Sequence, residues 1–189
     1  MTALHLASQS PRRQEILAAL GLRFTAAGVD VEERRLPGEP PDAMVLRLAQ
    51  AKAEAAAAGA GTVVIGADTA VVLGDEVFGK PAGRDDCLAI LAALSGKVHQ
   101  VMTGVAVRSA NGVRAIVSTT DVTFREIRPD EALAYWQSGE PRDKAGAYAI
   151  QGKGGVFVES IDGSYSGVVG LPVFETAALL REAGLRIFA

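Results

Sequence analysis

The passage from Leu4 to Gly21 constrains the fold more than any other stretch, because a short apolar strand pattern (Leu4, Leu6) turns at once into a helix pattern (Ile16, Leu17, Leu20) that Gly21 ends. Pro11 has no backbone N–H and a preset φ, so it fits the first helical turn, with Ser10 as the expected N-cap. A strand feeding a helix this directly is the opening unit of an α/β chain. The free N–H groups and positive dipole end of such a helix, with the guanidinium forks of Arg12 and Arg13 beside them, favour an anion at this point. The same residues also read as an ordinary capped helix start with solvated arginines.

The pattern continues along the chain. Gly28 to Pro41 is polar and proline-bearing, with Asp30, Glu32, Glu33, Arg34 and Arg35, and reads as a long loop. Asp42 to Gly59 spaces Met44, Val45, Leu48 and Ala55 as an amphipathic, alanine-rich helix that carries Lys52. Thr62 to Ala67 is a β-branched, apolar run fit for a buried strand, with Asp68-Thr69 immediately after it. Gly74-Asp75 joins two further apolar runs as a tight hairpin, Arg84 to Leu94 is a helix capped by Gly96, and Ala110-Asn111-Gly112 is a hairpin between strands Gln100–Arg108 and Val113–Arg125. Helices are expected over Pro129 to Ser138 and from Val173, and the glycine-dense stretch Ala145 to Leu171 reads as strands joined by tight turns. Helices alternating with both crossover and hairpin-joined strands imply an α/β fold with a mixed β-sheet flanked by helices.

Several classes are excluded. No apolar run approaches the roughly 20 residues of a membrane helix, and the N-terminus lacks a signal-peptide pattern, so no membrane association and a cytoplasmic location are expected. Cys87 is the only cysteine, which rules out an internal disulfide and a multi-thiolate zinc site, and its apolar neighbours mark it as a core residue. His5 and His99 are isolated and read as core or edge residues rather than ligands. With a formal net charge of −3 and no basic tract, the chain is not expected to bind a nucleic acid polymer.

Asp68, placed at a strand end, reads equally as a metal ligand, a base for water or a cap on the turn through Thr69. Glu33 offers a second carboxylate or a solvated one, and Lys52 and Lys80 taken singly read as surface lysines. Lys144, Tyr148 and Gln151 lie among glycines that permit close backbone approach, and an amide such as Gln151 suits recognition of a base edge.

Taken in order, Ser8-Gln9-Ser10-Pro11-Arg12-Arg13, Gly66-Ala67-Asp68-Thr69, Gly79-Lys80-Pro81, Ser95-Gly96, His99-Gln100-Val101-Met102-Thr103, Asp143-Lys144-Ala145-Gly146-Tyr148, Gln151-Gly152 and Gly163-Ser164-Tyr165 through Val169-Gly170-Leu171-Pro172 resemble the Maf family of nucleoside triphosphate pyrophosphatases over nearly the whole chain. The resemblance implies one inosine-triphosphatase-like α/β domain over residues 1–189, with or without two lobes around a nucleotide cleft. It implies Asp68 as the catalytic proton acceptor, Arg12, Thr69 and Gln151 at positions tied to base selectivity, and Ser8, Arg13, Glu33, Lys52, Lys80 and Lys144 lining the triphosphate and metal cleft. Glu33 and Asp68 would hold a divalent metal, Mg²⁺ or else Mn²⁺. The motif contexts at His99 and Asp143 look like the branch that hydrolyses dTTP and UTP to the monophosphate and pyrophosphate. The alternatives are a pyrophosphatase for 7-methyl-GTP or another non-standard nucleotide, and a non-catalytic nucleotide-binding regulator of cell division. A homodimer is compatible with a small enzyme of this type.

Overall fold

Residues 3–188 are described by the structure, a computed structural model. In chain order they form β1 (Leu4–Leu6), α1 (Pro11–Ala19), β2 (Thr25–Ala26), α2 (Pro41–Ala55), β3 (Val63–Leu73), β4 (Glu76–Phe78), α3 (Arg84–Leu94), β5 (Val98–Ser109), β6 (Gly112–Phe124), α4 (Pro129–Gln137), β7 (Val158–Asp162), α5 (Tyr165–Val169) and α6 (Val173–Glu182). Three 3₁₀ turns, Glu140–Asp143, Ala145–Ala147 and Lys153–Phe157, lie between α4 and β7. The sheet has seven strands in the order β2-β1-β3-β5-β6-β7, with β4 on β3. Strand β1 runs parallel to β2 and β3, whereas β4 is antiparallel to β3 and β7 to β6, so the sheet is mixed. Among the described residues no helix is long and apolar enough to cross a membrane.

The chain divides into two compact units. The first takes in Met1–Asp68, Thr103–Ser118 and Gly170–Ala189. Its core packs Leu6 and Ile65 of the strands against Leu17 of α1, Val105 of β5, Leu180 of α6 and Leu171 just before that helix. Helix α1 ends where Gly21, at φ +72°, takes the left-handed conformation that other residues adopt only at a cost. Helix α2 turns its alanines, Ala49 and Ala53, toward Val64 and Ala106. Small residues stand there because backbone meets backbone. A Cβ on Gly66 would lie 2.6 Å from the Ala53 amide nitrogen, and one on Gly104 2.6 Å from the Val45 carbonyl carbon.

The second unit takes in Thr69–Met102 and Thr119–Val169. Leu91 and Leu94 of α3, Val122 and Phe124 of β6, Tyr148 and Phe157 fill its core together with Cys87, which is fully buried as expected. His99 is 1% exposed, edge-on to Phe124 and Tyr148, and its Nε2 lies 2.9 Å from the Tyr148 hydroxyl. Its Nδ1 has no hydrogen-bond partner among the described residues.

Three expectations are corrected. Ser10 stands at the N-cap of α1 but makes no side-chain capping bond; its N–H instead donates to Ser8 Oγ at 3.2 Å. Asp68 does not follow a finished strand, because β3 runs on through it to Leu73 and there pairs with β4. The stretch from Ala145 to Leu171 contains one strand, β7, and is otherwise two 3₁₀ turns, the short α5 and irregular backbone between them. Its glycines serve close packing as well as turning: a Cβ on Gly146 would meet the Val71 side chain at 2.7 Å.

Replacing Gly66 by alanine must therefore push α2 off the sheet, and is expected to lower stability by about 1–3 kcal/mol or more, read as a fall in the urea midpoint. A second prediction concerns acid. Burial pushes the His99 imidazole down to about 4 from its ordinary 6.5, so the folded ring stays neutral where the unfolded ring takes a proton. Stability present above pH 6.5 is lost as pH falls toward 4, by on the order of 3 kcal/mol. Unfolding free energies measured across that range should diverge between the wild type and His99→Gln, whose own curve is flatter.

Candidate active site

Within the first unit, α2 and β3 set the central pair. Lys52, on the face of α2 that Ala49 and Ala53 press to the sheet, is 8% exposed, and its Nζ donates to Asp68 Oδ1 at 2.7 Å. Nζ also pairs with Glu33 Oε1 at 2.5 Å, from the loop before α2. The lysine that reads locally as a surface residue is thus a buried cation bridging two carboxylates. At the start of α1, Arg13 donates through Nε to the Gly170 carbonyl at 2.8 Å and through Nη1 to Ser8 Oγ at 3.3 Å. Arg12 is half-buried beside it and acts on it as a like charge.

Burial works against charge at this cluster. It is the largest influence on Asp68 and raises its carboxyl above the ordinary range, against the opposing pull of Lys52 and Arg13 and with a push from Glu33. Burial likewise lowers the Arg13 guanidinium, which Asp68 and Glu33 partly offset, and arginine keeps its proton regardless. A desolvated carboxylate raised toward neutrality is the type of group that accepts a proton from water.

The remaining residues singled out from the sequence belong to the second unit. Thr69 follows Asp68 in β3, and Lys80 is exposed after β4. Lys144 pairs with Asp143 and precedes a turn in which Ala147, at φ +57°, is the one non-glycine residue in the left-handed region among those described. Gln151 is exposed at a turn that the Gly152 N–H closes on the Ala149 carbonyl at 3.1 Å.

Among the described residues no group of three or more His, Cys, Asp or Glu could hold a metal ion. The donors that the resemblance implies, Glu33 and Asp68, are a pair of hard carboxylates brought together on Lys52. That chemistry fits Mg²⁺, which takes one or two carboxylates and completes its shell with water and phosphate oxygens.

Sequence reading missed Glu39 and Arg47. Arg47 of α2 grips the Glu39 carboxylate with Nε at 2.6 Å and Nη2 at 2.8 Å, and the Leu36 N–H adds a third bond at 3.0 Å. The side-chain bond from Arg47 leads the influences that hold the Glu39 carboxyl down to about 2. Arg47 Nη2 also donates to the Arg34 carbonyl at 3.0 Å, so the loop carrying Glu33 is tied to α2. Glu39 and Arg47 stand eight positions apart across the loop–helix boundary, a spacing with no local signature.

A mixed β-sheet flanked by helices thus carries a largely covered carboxylate among fixed cations, an arrangement suited to an anionic ligand. The sequence profile of the Maf-like protein family matches residues 3–183, and the chain belongs to that family. It is 56% identical over 185 residues, 96% of this chain and 94% of the relative, to the dTTP/UTP pyrophosphatase of Anaeromyxobacter dehalogenans strain 2CP-1. It is 49% identical over 187 residues to the dTTP/UTP pyrophosphatase of Pseudoalteromonas atlantica, covering 96% and 97% of the two chains. Among solved structures, a HAM1 protein from Coxiella burnetii shares the fold at a TM-score of 0.54 and 18% identity, over 97% of this chain and all of that one.

Since Lys52 is the leading influence that lowers the Asp68 pKa, Lys52→Ala is expected to raise it further. Titration of the ¹³C-labelled carboxyl by NMR checks this; a midpoint no higher than that of the wild type would remove Lys52 from the role.

Proposed function

We propose that this chain hydrolyses dTTP and UTP to the monophosphate and pyrophosphate, with Asp68 as general base. One observation carries the chemical part: a largely covered carboxylate, raised above its ordinary pKa, held at 2.7 Å by Lys52 in the same unit as the Arg13 guanidinium. The substrate follows from the relatives, which bear that name at about half identity over nearly the full chain.

In this reading Arg12, Arg13, Ser8 and the first-turn N–H groups of α1 receive phosphate oxygens, as an anion at a helix start requires. Asp68 takes a proton from the attacking water. The water oxygen bonds to the α-phosphorus, the bond from that phosphorus to the α–β bridging oxygen breaks, and pyrophosphate leaves with the electron pair. Lys52 holds Asp68 and Glu33 in place. A Mg²⁺ ion, or Mn²⁺, held by Glu33 and Asp68 would supply Lewis-acid stabilisation of phosphate charge. Thr69, Lys80, Lys144 and Gln151 take their substrate roles in this proposal from the family resemblance, Gln151 as reader of the base edge.

The test offers Mg²⁺ with dTTP, UTP, CTP, ATP, GTP and 7-methyl-GTP separately and measures pyrophosphate and monophosphate together. Equal amounts of the two from dTTP and UTP, abolished by chelation, are expected. Asp68→Asn keeps the shape and removes the base, so it should lose at least about 10²-fold in kcat while still binding nucleotide. Turnover of 7-methyl-GTP alone would overturn the substrate, and an active Asp68→Asn would overturn the base.

A further inference from the structure

The turn that presents Gln151 is held by two residues that no part of the chemistry above employs. Tyr135, on α4, accepts the Ala149 N–H at its hydroxyl, 3.1 Å away, and donates that hydroxyl to Glu140 Oε1 at 2.8 Å. Glu140, opening the first 3₁₀ turn, accepts the Lys153 N–H at Oε2 and the Gly154 N–H at Oε1, each at 2.9 Å. Gln151 therefore sits between backbone anchored two residues before it and two and three residues after it. The glycines of this stretch are shaped around the clamp. A Cβ on Gly152 would lie 2.5–2.7 Å from the Glu140 carboxylate, and one on Gly154 would lie 2.6 Å from the Tyr135 hydroxyl.

A segment with glycine at 152, 154 and 155 has more backbone freedom to lose than any other composition, so without the clamp it would sample many conformers. Glu140 is suited to hold it. Burial opposes its charge, but the N–H groups of Gly154 and Lys153, the Tyr135 hydroxyl and the charge of Lys144 outweigh that and keep its carboxyl below the ordinary range. Tyr135 is fixed in turn by edge-on packing against Phe157, at 5.2 Å between ring centroids.

We propose that Tyr135 and Glu140 are positioning residues for base selection, orienting the Gln151 amide before the nucleotide arrives. This rests on the reading of Gln151 as the base-edge reader. Discrimination between bases that differ in one donor or acceptor depends on an amide fixed in place, since a mobile one reorients to satisfy either edge. The thymine and uracil edge presents an N–H where cytosine presents a bare ring nitrogen, and a rotated amide matches the second as well as the first.

The experiment compares the wild type with Glu140→Gln, Tyr135→Phe, Gln151→Ala and the Glu140→Gln/Gln151→Ala double variant, measuring kcat and KM for dTTP, UTP and CTP together with the melting temperature. Glu140→Gln puts an amide NH₂ where an N–H must be accepted. It is expected to raise KM for dTTP about tenfold with kcat within about twofold, and to cut the dTTP-over-CTP ratio of kcat/KM about tenfold. Tyr135→Phe moves the same quantities in the same direction, and serves alone should Glu140→Gln fail to fold. In the Gln151→Ala background, Glu140→Gln should add nothing to the loss of selectivity. A lowered melting temperature with unchanged selectivity in both clamp variants overturns the proposal and makes the clamp purely structural. If Gln151→Ala shifts the ratio and the clamp variants do not, the proposal alone fails; if Gln151→Ala leaves the ratio at the wild-type value, the reading of Gln151 fails and takes the proposal with it.

Discussion

Helix α2 and strand β3 touch backbone to backbone at Gly66, where a Cβ would lie 2.6 Å from the Ala53 amide nitrogen. Lys52 immediately precedes that contact on the helix, and Asp68 lies two residues beyond it on the strand. The closeness of the two backbones is what lets a lysine on one reach a carboxylate on the other while both stay nearly covered. Alanine at 49 and 53 and glycine at 66 and 104 give up side-chain burial at this interface. Holding the long Lys52 side chain in one conformer costs up to about 2 kcal/mol of rotamer entropy, which its two carboxylate partners offset. Were α2 to stand off by a side-chain width, the pair would open to water and Asp68 would return to an ordinary acid.

The charge count of this cluster explains why a cation beyond the protein's own is proposed. Lys52 and Arg13 stand against Asp68 and Glu33, two positive groups against two negative, so the four together carry no net formal charge toward a polyanion. In the proposed reading, a divalent ion held by Glu33 and Asp68 would supply the missing positive charge while leaving Lys52 to hold the two carboxylates.

The legible parts of the chain are those whose signals are local. Helix α3 spans Arg84–Leu94 in both sequence and structure, because apolar spacing of three and four residues is written within one segment, although Ser95 and not Gly96 is its C-cap. The βα opening was readable for the same reason, and Asp68 was found from its place in an apolar run. Its place inside β3 was not, because what prolongs the strand is its pairing with β4, a tertiary event. Lys52 looked solvated since its partners lie 16 and 19 positions away in the chain. The glycine-dense stretch alternated with apolar residues like a meander, yet those glycines answer to Glu140 and Tyr135, which no period in the stretch itself encodes.

Each unit also fixes one loop by the same device. In the first, Glu39 takes Arg47 and the Leu36 N–H and ties down the loop of Glu33; in the second, Glu140 takes two backbone N–H groups and the Tyr135 hydroxyl and ties down the turn of Gln151. A carboxylate is suited to this because its two oxygens accept several bonds at once, and each charge-assisted bond is about twice as strong as a neutral one. Loops of this length left free would lose about 1–2 kcal/mol of backbone entropy per residue when a ligand ordered them, a cost subtracted directly from affinity. By settling that cost during folding, the two carboxylates would leave the binding energy of a small ligand for discrimination in the proposed reading, from positions that never need to touch it.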